Sequence, residues 1–228
     1  MKGVVTTSMA TLAVLQQGVK AGANLFVTAQ PTFYSRNDAS APPSPDPIVS
    51  AKSDFIGKNN LVIFRLSEHW KMRQPDPHAQ GLATALELTR YRSAADPLRF
   101  DVPAMTMAAV AALVKSKLQS KGGIRAVGDP RLKVQRIGIL PGTTPIQAAL
   151  RMLPNVDVIV AGEVREWESV EYARDNAFAG KNKGLILVGR VVSEEPGMEV
   201  CAAWLRTIVP EVGVRYIRAG DPYWRPVS

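Results

Sequence analysis

A chain of 228 residues with 46% hydrophobic and 21% charged residues is long enough to bury a full core and too apolar to be wholly disordered. Its single cysteine, Cys201, excludes an internal disulfide and any thiolate metal cluster within one chain. The formal net charge of +8 is unevenly spread, with seven Lys/Arg against two Asp over residues 101–150 and six against nine acids over 151–200.

The first segment, KGVVTT, reads as a short strand. Residues 9–21 read as a helix, with Leu12, Leu15 and Val19 at helical spacing and Gly22 placed to end it. Thr6, Thr7, Ser8, Thr11, Gln16 and Gln17 interrupt the apolar residues here, so no clean signal-peptide core exists. No run in the chain reaches the roughly 20 apolar residues that span a bilayer. A cytoplasmic protein without a membrane partner is the expectation.

ANLFVTA is the next strand, and it stops at Pro31. Residues 35–47, with Pro42, Pro43, Pro45 and Pro47, read as a surface loop leading into something new near residue 48. NLVIFRLSE is a third strand, followed by an irregular stretch, HWKMRQPDPHAQ, and a helix at GLATALELTR. After LRFDVP comes an Ala-rich helix from about 104 to 121, then strands at GIRAVGDP and KVQRIGILPG. A helix at 145–153 leads to VDVIVAGE, a near-continuous apolar strand of the buried parallel kind. A helix at 167–179, the strand GLILVGR, the helix EEPGMEVCAAWLRTIVP, the strand GVRYIRAG and the tail DPYWRPVS complete the chain.

Strands alternating with helices imply an α/β fold with two lobes. The expected division is an N-terminal lobe over 1–98, completed by the tail 215–228, and a second lobe over 99–214. No phosphate-loop lysine motif and no dinucleotide glycine fingerprint occurs. LPGTT, at 140–144, is a glycine turn before a helix.

Few residues carry obvious chemistry. Lys115, Lys117, Lys121, Arg125, Arg131, Lys133 and Arg136 form a basic run that fits a solvated helix face and its following loop. No aromatic residue lies between 101 and 166, so the run lacks a stacking platform, and nucleic acid is not an expected partner. Glu163, Glu166, Glu168 and Glu171 crowd into nine residues. Three of them suit the first turns of a helix, where its dipole favours carboxylates. Glu163 differs, because it ends the VDVIVAG strand, and it is the candidate acid or base. His69 stands beside Trp70 at a strand end, whereas His78 is expected on the surface. Trp167, Trp204 and Met198 read as core or lobe-contact residues, and Cys201 as a buried, inert thiol. Tyr223 and Trp224 are expected to cover the sheet or to contact another subunit.

Seven segments in order, GVVTTSMATLAVLQQ, GANLFVTAQPTFYSR, KNNLVIFRLSEHW, VGDPRLKVQRIGILPG, DVIVAGEVREWE, LILVGRVVSEEPGM and AGDPYW, together resemble the Nif-three-like family. Members of that family are toroidal hexamers with a dinuclear metal centre and include GTP cyclohydrolase 1 type 2-like proteins. The resemblance implies mixed sheets flanked by helices, with two divalent ions in a cleft between two lobes. It also implies a homo-oligomer, a ring hexamer or trimer of dimers. Members usually carry a further N-terminal helix; this chain starts almost on its first strand, so the surface that helix covers is expected to be exposed or taken by a neighbour.

At the family's ligand positions this sequence departs from the pattern. A His-His or His-Glu pair is expected before Pro31, where Ala29 and Gln30 stand. Histidines of the related subgroup align with Ser67 and Lys71, with Glu68 between them. A Gly-His pair followed by Glu aligns with Gly189, Arg190 and Glu194. Ala29 offers no lone pair, Gln30 and Ser67 offer weak neutral oxygens, and Lys71 and Arg190 are cationic donors. Glu194, Glu68 and His69 remain as weak metal candidates, and no metal cofactor is expected.

Two functional expectations follow from different classes. One is a Nif-three-like protein with a degenerate metal site, serving as a non-catalytic assembly or interaction module or as a binder of an anionic small molecule. In it, Arg190 and Lys71 supply the positive charge once brought by ions, pairing with Glu194 and Glu68 or leaving an anion socket. The alternative is a metal-dependent hydrolase of a nucleotide-like or cyclic amide substrate, so enzymatic activity stays open at the level of sequence.

Overall fold

A computed structural model describes residues 1–36, 38, 46–224 and 226. The first half of the chain runs β1 (Val4–Thr7), α1 (Leu12–Lys20), β2 (Leu25–Thr28), α2 (Pro47–Lys58), β3 (Val62–Arg65), α3 (Ser67–Lys71) and α4 (Pro77–Ala85). It continues through β4 (Arg99–Thr106), α5 (Met107–Leu118), β5 (Arg125–Val127), β6 (Lys133–Thr143), α6 (Ile146–Met152) and β7 (Val158–Glu163). A π-helical turn, Glu166–Val170, runs into α7 (Glu171–Phe178), followed by β8 (Gly184–Leu187), α8 (Arg190–Ile208) and β9 (Val214–Tyr216). The α/β class is as the sequence implies.

The chain forms two units, Met1–Pro77 with Gly197–Ala219, and His78–Pro196 with Gly220–Ser228. The expected division at residue 98 therefore stands at 77/78, and α8 is shared between the units at Pro196/Gly197. Pro196 lacks the amide that would continue the helical ladder, which makes this a natural point of division. The returning strand β9 adds to the first unit, while the tail after Ala219 goes with the second. Asp221 holds it there, accepting from Ser120 Oγ and from the Gly122 amide, both at 2.9 Å.

In the first unit four parallel strands run in the order β3-β2-β1-β9, with Val5 opposite Phe26 and Phe26 opposite Ile63. One face packs Val5, Phe26, Val14 and Leu15 into a core. The other packs Val4, Val27 and Val214 against Met198, Cys201 and Ala202 of α8. Trp70 and Trp204 stack at 5.2 Å beside this second core, and the Trp70 indole donates to the Gly197 carbonyl.

In the second unit the order is β4-β6-β7-β8-β5, with β6, β7 and β8 parallel and the antiparallel β4 and β5 at the edges. The buried run VIVA of β7 is covered on both faces, as its unbroken apolarity requires. Val158 and Val160 join the core formed with α5, and Ile159 and Ala161 join that formed with α6 and α7.

Local structure differs from expectation at three places. The segment entering at residue 48 is a twelve-residue helix, α2, capped by Asp46, whose carboxylate accepts from the amides of Ile48 and Val49 at 2.9 Å. The irregular stretch after β3 contains α3 and the start of α4. The helix expected from 104 begins at Met107, because Thr106 both ends β4 and caps α5 through the Ala109 amide. Of the proline-rich loop over 35–47, residues 37 and 39–45 lie outside the described residues.

Candidate functional site

Open parallel sheets present ligands at the carboxyl ends of their strands, and every sequence-derived site position follows such an end. In the first unit, β2 delivers Ala29 and Gln30, and β3 delivers Ser67, Glu68, His69 and Lys71. The two strand ends are neighbours, since Thr28 pairs with Arg65 and the Leu66 amide donates to the Thr28 carbonyl at 2.8 Å. Ala29 and Gln30 are buried, at 3% and 6% exposure. The Gln30 backbone is fixed by its amide, which donates to Ser8 O at 2.9 Å, and by the Thr28 hydroxyl, which donates to Gln30 O. Ser67 opens α3 with a positive φ of 34°, while Glu68, His69 and Lys71 are exposed.

In the second unit the site positions meet where β6 and β7 end and α8 begins. Glu163 is the last residue of β7, Arg190 the first of α8, and Glu194 lies one turn further on. The guanidinium stands between the two carboxylates, with NH1 3.8 Å from Glu163 Oε1 and Nε 3.6 Å from Glu194 Oε1. These are ion pairs beyond hydrogen-bond length, and the buried Arg190 Nε has no hydrogen-bond acceptor among the described residues. The Glu194 side chain is 8% exposed, and that of Glu163 is half exposed. Thr143 donates its hydroxyl to Glu163 Oε1 at 2.8 Å. Ser193 ties the strand end to the helix start, accepting from the Gly142 amide at 2.9 Å and donating to Arg190 O at 2.7 Å.

Two glycines permit this approach. Gly142 has φ +75°, and a Cβ there would lie 2.6 Å from Glu194 Oε1. A Cβ on Gly162 would lie 2.3 Å from Gly142 O and 2.5 Å from Ser193 Oγ. The end of β6 is thus built around the Glu194 carboxylate, and Gly162 on β7 leaves room for the Gly142 backbone and Ser193 Oγ.

Neither unit's site residues fit a divalent ion. At the positions marked by the resemblance, the first unit offers two weak neutral oxygens, a methyl group and a cation, and the second offers one carboxylate beside a cation. Among the described residues, no three His, Cys, Asp or Glu side chains group as a metal site. At an effective dielectric of 20, a divalent ion about 4 Å from a guanidinium is repelled by roughly 8 kcal/mol.

Several other expectations change. His78 is not a surface residue; it lies in α4, buried, with Nδ1 3.0 Å from the Glu194 carbonyl. Trp167 is not buried in a core; it is 73% exposed on the π-helical turn. Met198 and Cys201 are buried as expected. The acids near Glu163 pair locally, Glu166 with Arg125, Glu168 with Arg165 and Glu171 with Arg174.

Two buried polar residues escaped sequence reasoning. Glu195 is 1% exposed and accepts from the Gly220 amide at 2.6 Å. Its signal was available, for Val192, Glu195, Met198 and Ala202 recur at helical spacing and all are buried. Lys52 is 5% exposed and donates to Thr32 O, with its ammonium over the rings of Phe33 and Tyr34. Burial holds its pKa below the ordinary value, against the smaller opposing effect of Asp38. A hollow of about 410 Å³ is lined by Thr32, Phe33, Asp38, Ser53, Ile56 and Ile63. Lys52 does not stand out in a linear reading, because it owes its burial to packing rather than to a local motif.

No protein-family model matches the chain, and no curated protein matches it. Solved structures do. A Bacillus cereus protein related to NIF3 superposes with a TM-score of 0.74 at 14% identity, covering 99% of this chain and 89% of its own. The Staphylococcus aureus hypothetical protein SA1388 gives 0.72 at 17% identity, over 99% and 87%. The protein ybgI, of unknown function, gives 0.72 at 19% identity, over 97% and 85%. The chain has the Nif-three-like fold.

Proposed function

We propose that this chain with a Nif-three-like fold is a non-catalytic assembly or interaction module whose metal site has been lost, and that it works as a homo-oligomer. The observation that carries this reading is Arg190 standing between Glu163 and Glu194. A guanidinium is permanently charged, so it balances the two carboxylates without an ion. The cost of leaving Glu194 buried and uncompensated is thereby avoided. The same arrangement weighs against an anion socket at this point, because a phosphate approaching Arg190 meets two carboxylates first.

Elemental analysis of untagged protein, before and after incubation with zinc, iron or manganese, tests the reading. The expected result is no stoichiometric metal and no change in melting temperature on adding EDTA. Two divalent ions per chain would overturn it and would favour the metal-dependent hydrolase of a nucleotide-like or cyclic amide substrate. An Arg190→Ala variant is expected to melt at a lower temperature than the parent, because the buried Glu194 carboxylate then loses its cation.

A further inference from the structure

The π-helical turn and α7 carry an outward stripe that no described residue of the second unit covers. Trp167 is 73% exposed and Phe178 is 96% exposed, values unusual for large aromatic side chains. Between them on the same face lie Glu171 and Arg174, 49% and 71% exposed, joined by an ion pair of 3.2 Å. The inward face, by contrast, is anchored by Ser169 and Ala173, with Val170 and Tyr172 packed against the same core. The helix is therefore fixed in rotation, and its aromatic stripe is a permanent feature of the surface.

The stripe is a palindrome. Its members are spaced four, three and four residues apart, in the order aromatic, acid, base, aromatic. When two such helices cross antiparallel about a two-fold axis, Trp167 of each faces Phe178 of the other and Glu171 faces Arg174. Hydrophobic ends meet hydrophobic ends, and each carboxylate meets a guanidinium. A two-fold contact demands this self-complementarity, in which a patch must match its own reversed image.

We propose that the outer face of α7 is a two-fold contact with a second copy of this chain. The intrachain ion pair and its symmetry mate close into a four-charge cluster at the axis, flanked by two Trp–Phe pairs. Each buried aromatic side chain carries about 150–250 Å², so the four of them account for roughly 600–1,000 Å². That approaches the roughly 1,000 Å² a specific interface needs, with the charged centre and the rim adding the remainder. A bilayer would take the aromatics only by burying the Glu171–Arg174 pair with them, and an unrelated helix has no reason to match a palindromic spacing. The proposal rests on the assembly part of the functional reading above and is independent of the metal-site part.

Sedimentation of the full chain tests it through charge exchange. E171R places two guanidinium groups opposite each other across the axis, and R174E places two carboxylates there. Each single variant is expected to sediment at half the mass of the parent, with an unchanged circular dichroism spectrum. Mixing the two variants restores acid–base pairing at both positions, so the mixture is expected to recover the parent mass, as is the double variant E171R/R174E. A role confined to the helix itself would give no recovery on mixing. W167S, which removes an aromatic without adding charge, is likewise expected to halve the mass. A monomeric parent, single variants of parental mass, or a mixture that stays at half mass would each overturn the proposal. The metal reading falls instead on elemental analysis, so the two failures are distinguishable.

Discussion

Cys201 packs in the same buried cluster as Met198, Ala202 and Val4, and burial pushes its thiol up to about 12, against the weaker pull of Arg73. A thiol so far from ionising has almost no thiolate at neutral pH and is a poor nucleophile. Native protein at pH 8 is therefore expected to resist a disulfide reagent such as DTNB, and to release one thiol per chain once unfolded in guanidinium chloride. Rapid labelling of the folded protein would contradict the burial. This residue was legible in the sequence, since it stands between Val200 and Ala202 in an apolar helix. His78 was not: the prolines around it suggest an exposed loop, yet Pro77 occupies the start of α4 and turns the imidazole inward. Ala29 and Gln30 were placed correctly at a strand end by Pro31 alone. Arg190's partner Glu163 was not foreseen, because nothing in the linear order links the end of one strand to a helix 27 residues later.

Asp157 controls how two strands of the second unit start together. Its Oδ2 accepts from the amides of Gln135 and Arg136 at 2.9 Å, and its Oδ1 accepts from the Arg136 guanidinium at 2.8 Å. Burial alone would raise its pKa, but the Arg136 side chain and the two amides together outweigh it and hold the carboxyl below its ordinary value. A carboxyl depressed in the folded state stabilises above its unfolded pKa and loses that contribution as pH falls through the folded value. An Asp157→Asn variant is thus expected to be less stable by about 1–2 kcal/mol at pH 7. The difference should shrink below about pH 4, near the unfolded carboxylate pKa, and urea titrations of both proteins across that range check it. At the scale of elements, β7 and β8 were readable as uninterrupted apolar runs, and α1 and α5 from their spacing. The helix α2 was hidden, because its one buried residue is Lys52, which interrupts the face that packs Phe55 and Ile56 against the core. Its start signal, Asp46 followed by Pro47, is a cap with proline in the first turn, which resembles a turn when embedded among other prolines.

The two units interleave along the chain, and this was the least legible property of the molecule. Alternating strands and helices specify α/β layers but leave open which strand returns to which sheet, since that depends on pairing across the whole length. β9 is three residues long, yet it completes the first sheet, and α8 supplies one of its two cores. A chain ending at Pro196 would therefore lack Met198, Cys201, Ala202 and Val214 of that core. Such a truncation is expected to leave the first unit unfolded, read as collapsed, poorly dispersed amide resonances for residues 1–77 in an NMR spectrum. Native-like dispersion there would show that β1, β2 and β3 suffice.

The pairing of Val4 with Val214 has a consequence for biosynthesis. β1 leaves the ribosome well before its partner β9 is made. About 150 residues separate β3 from β9, so at roughly 5–20 residues per second the incomplete first unit waits on the order of ten seconds for its final strand. Throughout that interval the unpaired β1 segment, with Val4, Val5 and Thr6, is a template for pairing with another nascent chain. Slower translation of the second unit lengthens that exposure, which makes the yield of soluble protein depend on elongation rate and on chaperones that bind extended segments.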